Sequence, residues 1–146
     1  MPLTVRPLER SDHAEWRRLW TAYLDFYEST VPEAVYASTW ERLFDGGRFE
    51  PRGWLAVLDG QPVGLVHAIL HRTCWAIADS CYLQDLYADP QVRGQGIGRA
   101  LVEQVYRHAD AVGANNVYWM THETNATARQ LYDRIAKRTG FIQYKR

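Results

Sequence analysis

Apolar positions along the chain fall into alternating stretches of helical and extended period. Residues 4–7 read as a short strand, after which Ser11 or Asp12 offers a helix N-cap, with Glu15 three residues beyond Asp12 in a capping-box arrangement. Trp16, Leu19, Trp20, Tyr23, Leu24 and Tyr27 then recur at helical spacing and form an aromatic-rich stripe that must be covered. A second helix is expected over residues 32–44, opening at Pro32.

Turn residues at Gly46-Gly47 and Pro51-Arg52-Gly53 precede a strand over 54–58, and Asp59-Gly60 joins it to a second apolar run over 61–70 as an antiparallel hairpin. A third strand follows over 81–88. Ile97, Leu101, Val102, Val105, Tyr106 and Ala109 mark the buried face of a helix that should stop near Gly113. Residues 117–120 read as a strand and 125–137 as a helix carrying Ala128, Leu131, Tyr132 and Ile135 on one side; alternation over 141–144 predicts a last strand. The run of three strands in the middle points to an α/β layer with a mixed, mostly antiparallel sheet flanked by helices, rather than a doubly wound parallel sheet. With no internal repeat or linker, residues 1–146 are expected to form one domain.

The 17 basic and 17 acidic residues cancel, so the charge balance does not favour nucleic acid as a partner. The first residues hold no apolar stretch of signal-peptide length, and no apolar run approaches the ~18 residues a membrane helix needs. Cys74 and Cys81 are too few for a disulfide scaffold, and neither they nor His67, His71, His108 and His122 show metal-ligand spacing. The expectation is a soluble, reduced, cytoplasmic protein without a metal or a membrane partner.

The chemistry concentrates where the third strand ends, at Leu86-Tyr87-Ala88-Asp89-Pro90-Gln91-Val92-Arg93-Gly94-Gln95-Gly96-Ile97-Gly98-Arg99. Glycines opening a helix let backbone N–H groups approach a phosphate closely, the helix N-terminus adds partial positive charge, and Arg93 and Arg99 can add full charges. The dinucleotide fingerprint Gly-x-Gly-x-x-Gly is absent, as is the Gly-Lys-Ser/Thr ending of a nucleoside-triphosphate loop. A tight strand-to-helix turn explains one glycine more easily than three preceded by an arginine.

With Arg93, Gly96 and Gly98 in place, the loop resembles the acetyl-CoA loop of the Gcn5-related N-acetyltransferase superfamily, Arg/Gln-x-x-Gly-x-Gly/Ala. Asn125 through Tyr132 resembles its downstream Asn-x-x-Ala-x-x-x-Tyr signature, and the element order is similar over nearly the whole chain. The resemblance implies an acyl-CoA N-acyltransferase fold and acetyl-CoA as co-substrate. Pantetheine would lie along the main chain of Leu86, Tyr87 and Ala88, pyrophosphate would sit in the loop from Arg93 through Gly94, Gln95, Gly96, Ile97 and Gly98 to Arg99, and Asn125 and Arg129 would lie beside the outer cofactor. For Asn125 a plain helix cap, and for Arg129 a solvated surface charge, are the competing readings.

Acetyl transfer to nitrogen needs a neutral amine, a polarised carbonyl and a proton for the leaving thiolate. The superfamily tyrosine matches Tyr132, implied as general acid, against a core tyrosine on a helix face. A backbone N–H near Leu86 or Tyr87 would polarise the carbonyl if a bulge left it unpaired. Asp85, directly before the cofactor-binding strand segment, is a candidate base; Glu28, Asp79 and His67 are others, none diagnostic by spacing, and a base acting through ordered water is an equal alternative.

Within the superfamily, Asp85-Leu86-Tyr87, Tyr27-Glu28 and Phe141 with Tyr144 are similar to the polyamine and diamine acetyltransferases and their histone/polyamine-acetylating relatives, where dimers are usual. Gln84 departs from that branch, which carries a glutamate there. Tyr27, Glu28 and Gln84 are the expected substrate contacts, and Glu28 with Asp25 and Glu33 a negative mouth for a small cationic amine. A protein lysine or N-terminal amine as acceptor, and a non-catalytic acyl-CoA-binding module, are the alternatives. Most tryptophans are expected in the core, and His122 is a candidate for lining the site.

Overall fold

The computed structural model describes residues 2–146. Strand β1 (Leu3–Pro7) leads through a 3-10 turn at Arg10–Asp12 into helices α1 (His13–Phe26) and α2 (Glu33–Arg42). Three strands follow, β2 (Arg52–Leu58), β3 (Gln61–His71) and β4 (Ser80–Ala88); then a 3-10 turn at Pro90–Val92, helix α3 (Ile97–Val112), strand β5 (Asn116–Tyr118) and helix α4 (Ala126–Ile135). The five strands lie side by side in chain order; β1 to β4 pair antiparallel, and β4 with β5 parallel. This is the mixed, mostly antiparallel sheet that the order of elements predicts.

Alternate residues of the central strands serve opposite cores. Trp54, Ala56 and Val66 pack with the α3 residues Ile97, Leu101, Val102 and Val105, whereas Leu55 and Leu65 pack with Trp16, Leu19, Trp20, Tyr36 and Trp40 from α1 and α2. Burial on both faces explains why these strands read as continuous apolar runs. The β2–β3 hairpin turns on Asp59 and Gly60, both at positive φ (52° and 79°), as a two-residue turn of matching twist requires.

Two expectations are corrected. Asp12 makes no side-chain cap for α1 with Glu15; its carboxylate instead receives Arg6 at 2.7 and 2.9 Å and the Glu9 N–H at 2.8 Å, in a capping box centred on Glu9. A guanidinium across the turn is the stronger partner for that carboxylate. Residues 141–144 form no strand: Phe141, Ile142 and Tyr144 are 82%, 74% and 88% exposed, since alternation alone cannot make a strand without a ladder partner. Strand β5 also ends at Tyr118, two residues earlier than expected, and Trp119 and Met120 leave the sheet.

Candidate active site

Strand β4 is paired along its full length on one edge but only briefly on the other. Against β3 it pairs from Ser80 to Ala88; against β5 only Ser80, Cys81 and Tyr82 are paired. The two parallel strands therefore part after Tyr82, and the second edge of β4 beyond it has no sheet partner among the described residues. A register shift opposite His67 and Ala68 leaves Gln84 as an extra residue, so β4 carries a bulge immediately before Asp85. Bulges re-aim side chains and release backbone donors from the ladder.

The cleft between the parted strands is lined by Tyr23 and Tyr27 of α1, Leu83, Gln84 and Leu86 of β4, Trp119 and Met120 after β5, and Tyr132 of α4. It encloses about 10 Å³, room for a single water. A larger cavity of about 380 Å³ lies at the other end of β4, among Arg48, Asp79 and His108.

Tyr132 packs edge-on against Trp119, ring centroids 5.4 Å apart. Burial, with Tyr27 nearby, pushes its hydroxyl up to about 12, so it holds its proton at neutral pH and is available as a donor. Tyr23 is pushed up as well, first by burial and then by the Asp85 carboxylate, to which its hydroxyl donates. Tyr27 rises through burial, offset in part by a hydrogen bond with Thr121, and stacks loosely on His122 at 5.3 Å.

Asp85 is partly buried on β4, close to Tyr23 and Tyr27 of α1. Its Oδ2 lies 2.8 Å from Nδ1 of His67, the cross-strand neighbour on β3, and Nε2 of His67 lies 3.0 Å from Nε1 of Trp16.

Past β4, Asp89 accepts the Gln91 N–H at 2.9 Å and turns the chain through the 3-10 segment to Arg93. Gly94 and Gly96 have φ of +78° and +77°, with open space where a Cβ would stand, and Gly96 is the N-cap of α3. The first-turn N–H groups of α3 have no intrahelical acceptor, so the loop presents backbone donors and the positive end of the helix dipole outward. These backbone donors, with open space at Gly94 and Gly96 and the β4 edge at Leu86 to Ala88 leading into them, could hold a ligand with a pyrophosphate at one end and an amide-bearing arm at the other. Ile97 itself is buried against the sheet, Gly98 faces Leu131 of α4, Arg93 and Gln95 are exposed, and Arg99 pairs with Glu103 at 2.9 Å.

Other expected contacts are placed less centrally. Asn125 caps α4 by accepting the Ala128 N–H at 3.5 Å and reaches Thr121 at 3.3 Å, while Arg129 donates to the Glu123 carbonyl. Glu28 follows Tyr27 at the end of α1, exposed and with φ of 54°. Glu33 is engaged by Arg17, so its charge is not free for the negative mouth. Asp79 pairs with Arg48 at 2.8 Å in the distant cavity.

Tyr23, Trp119 and Met120 line the cleft without having been expected there. Tyr23 precedes Tyr27 by one helical turn, a signal legible from spacing; Trp119 and Met120 depend on where β5 stops.

A mixed sheet in which β4 parts from β5 and runs into the glycine-opened helix α3 is the architecture of the acyl-CoA N-acyltransferases. Residues 16–136 match the acetyltransferase (GNAT) family, and the chain belongs to that family; it is an acetyl-CoA-dependent N-acetyltransferase. It is 33% identical over 148 aligned residues to a D-amino-acid N-acetyltransferase of Saccharomyces cerevisiae, covering 99% of this chain and 90% of that protein. It is 30% identical over 142 residues to a peptidyl-lysine N-acetyltransferase of Salmonella typhimurium, covering 92% and 81%. The fold is similar to that of the aminoglycoside N-acetyltransferase AAC(6')-Iy with a bisubstrate analogue, at a TM-score of 0.86 and 15% identity over 100% of this chain and 98% of that one.

Among the described residues no helix is long and apolar enough to cross a membrane, and no group of three or more His, Cys, Asp or Glu is placed to hold a metal ion.

Proposed function

We propose that the protein acetylates a small primary amine by direct attack in a ternary complex, with Asp85 receiving the amine and Tyr132 serving the leaving sulfur. The observation that carries this reading is a single cleft whose lining includes the Tyr132 hydroxyl, raised by burial, and Tyr23, which donates to the Asp85 carboxylate just after a β-bulge. Acetyl-CoA supplies the activated acyl group.

The backbone edge from Leu86 to Ala88 aligns the pantetheine arm, and the loop from Arg93 to Arg99 receives the pyrophosphate. Asn125 and Arg129 bound the outer end of that path. An N–H released by the bulge at Gln84 polarises the acetyl carbonyl. Asp85 takes the proton that the amine loses as the C–N bond forms, and the Tyr132 hydroxyl gives its proton to sulfur as the C–S bond breaks. Nothing in the arrangement calls for a covalent acyl-enzyme.

The acceptor is read first as a small cationic amine of polyamine or diamine type, drawn by Asp85 and by Glu28 and Asp25 at the end of α1, with Tyr27 and Gln84 as contacts. The second reading, a D-amino acid, is favoured by the yeast relative, which matches nearly the whole chain. The exposed apolar side chains of Phe141, Ile142 and Tyr144 support a homodimer, and the free thiols of Cys74 and Cys81 a reduced, cytoplasmic setting.

A thiol-release screen over polyamines, D- and L-amino acids, aminoglycosides and lysine peptides separates these acceptors. Tyr132→Phe is expected to lower turnover roughly 100- to 10,000-fold while coenzyme A binding persists. Coenzyme A binding without transfer to any amine would instead indicate a non-catalytic acyl-CoA-binding module, and turnover unchanged in Tyr132→Phe would remove the acid role.

A further inference from the structure

His67 sits in the middle of β3 with 2% of its surface exposed, and both of its ring nitrogens are engaged. An indole N–H can only donate, so Nε2, at 3.0 Å from Trp16 Nε1, is the accepting nitrogen. The ring proton therefore stands on Nδ1 and is donated to Asp85 Oδ2 at 2.8 Å. A histidine that works as a base has the same tautomer, but its nitrogen distal to the carboxylate is open to the substrate. Here the distal nitrogen points into the aromatic core.

Trp16 is itself immobilised. It is fully buried, stacked on Trp20 with centroids 5.4 Å apart, and flanked by Trp40 at 4.9 Å. A line of donors thus runs outward from the core, from the Trp16 indole through His67 to Asp85, and Tyr23 donates to the same carboxylate from α1. A carboxylate offers about four acceptor positions. Two are taken by these donors, and the side chain keeps 16% of its surface exposed.

We infer that His67 is a positioning residue for the acceptor amine: its Nδ1–H, held in one tautomer by the Trp16 indole, fixes the Asp85 carboxylate beside Tyr23 at the wall of the cleft. The inference rests on the reading that Asp85 meets the amine. It assigns His67 no proton transfer, and it makes the geometry of amine delivery depend on a tryptophan that touches neither substrate.

The test combines a spectroscopic and a kinetic reading on the full chain. Long-range 1H–15N spectra of the wild-type protein are expected to show His67 protonated at Nδ1 and bare at Nε2; a ring protonated at Nε2 overturns the inference. His67→Ala is expected to lower kcat/KM for the best amine from the acceptor screen roughly 10- to 100-fold, as losing a hydrogen bond to a charged group should, with KM for acetyl-CoA little changed. His67→Asn, whose amide retains a donor near the Nδ1 position, is expected to recover most of that loss. A folded His67→Asn as slow as His67→Ala, or His67→Ala as fast as wild type, overturns it.

If His67→Ala does not fold, the tautomer and His67→Asn still decide. Asp85→Asn separates the two levels: full activity in that variant sinks the reading of Asp85, whereas an impaired Asp85→Asn beside an unimpaired His67→Ala sinks the positioning role alone.

Discussion

Gly64 of β3 and Ile97 at the start of α3 meet so closely that a Cβ on the glycine would stand 2.8 Å from Cγ2 of the isoleucine. The same Cβ would lie 3.0 Å from Leu101 and 3.1 Å from the carbonyl oxygen of Tyr87. The missing side chain lets α3 approach the sheet at the end where the glycine loop enters the helix, next to the strand segment proposed to align pantetheine.

Gly64→Ala is therefore expected to destabilise the fold by about 1–3 kcal/mol, the usual cost of overpacking a tight contact. Because the displaced helix carries the loop, coenzyme A affinity should fall with stability. Thermal denaturation and calorimetric titration on the same sample check both; wild-type values for each would show that the contact relaxes freely.

Gly96→Ala tests the loop without touching the core. Nothing lies within 4 Å of its Cβ position, so the substitution clashes with no protein atom, yet a φ of +77° suits glycine and costs other residues roughly 1–2 kcal/mol. Coenzyme A is expected to bind about tenfold weaker or worse, whether through a shifted N–H array or through the methyl group entering the pyrophosphate space, while the melting temperature falls by only the several degrees that the backbone strain costs. Equilibrium dialysis with labelled coenzyme A gives the answer, and undiminished affinity would rule this loop out as the phosphate site.

The loop and the sheet were legible because each rests on a local requirement. Positive φ at Gly94 and Gly96, the Asp59-Gly60 turn and the 3.6-residue period of α3 are all written into neighbouring residues. The line from Trp16 to Asp85 was not legible, since Trp16 lies 51 residues from His67 and His67 18 residues from Asp85; the packing of α1 on the sheet joins the first pair and the β3–β4 register the second. The cleft was hidden for another reason: apolar spacing reveals a strand but not how far its pairing continues, and the site exists because β5 stops at Tyr118. The strand expected over 141–144 failed on the same point, its period being present without a paired edge.

Asp12, in the turn before α1, offers a stability test outside the cleft. Its hydrogen bond from Arg6, outweighing the effect of burial, holds the carboxyl below its ordinary value of 3.8, and the Glu9 N–H also depends on it. A depressed folded pKa adds stability that is present above the unfolded value and lost as pH falls below it. Asp12→Ala should cost about 1–3 kcal/mol at neutral pH by stranding a buried-side donor, Asp12→Asn less, and both should flatten the loss of stability below about pH 4. Urea titrations at neutral and acidic pH measure this; parallel pH dependence in wild type and Asp12→Ala would refute the linkage.

Alkaline pH should act through the opposite sign. Burial raises the Cys81 thiol from 9.0 to about 11, and it raises the Tyr132 hydroxyl from 10.0 to about 12. In both cases the unfolded chain gives up its proton first, so the stability these groups contribute is complete below about pH 9 and drains away as pH climbs through the folded values. Wild-type stability is expected to decline from about pH 9 upward, whereas turnover that depends on a protonated Tyr132 should hold its alkaline limb well above the ordinary tyrosine value of about 10. Cys81→Ala isolates the thiol: it leaves a small cavity that lowers stability at every pH, yet the slope between about pH 9 and 11 should be shallower than in wild type. Chemical denaturation across that range distinguishes the two effects, because a cavity shifts the whole curve and a titrating thiol bends it.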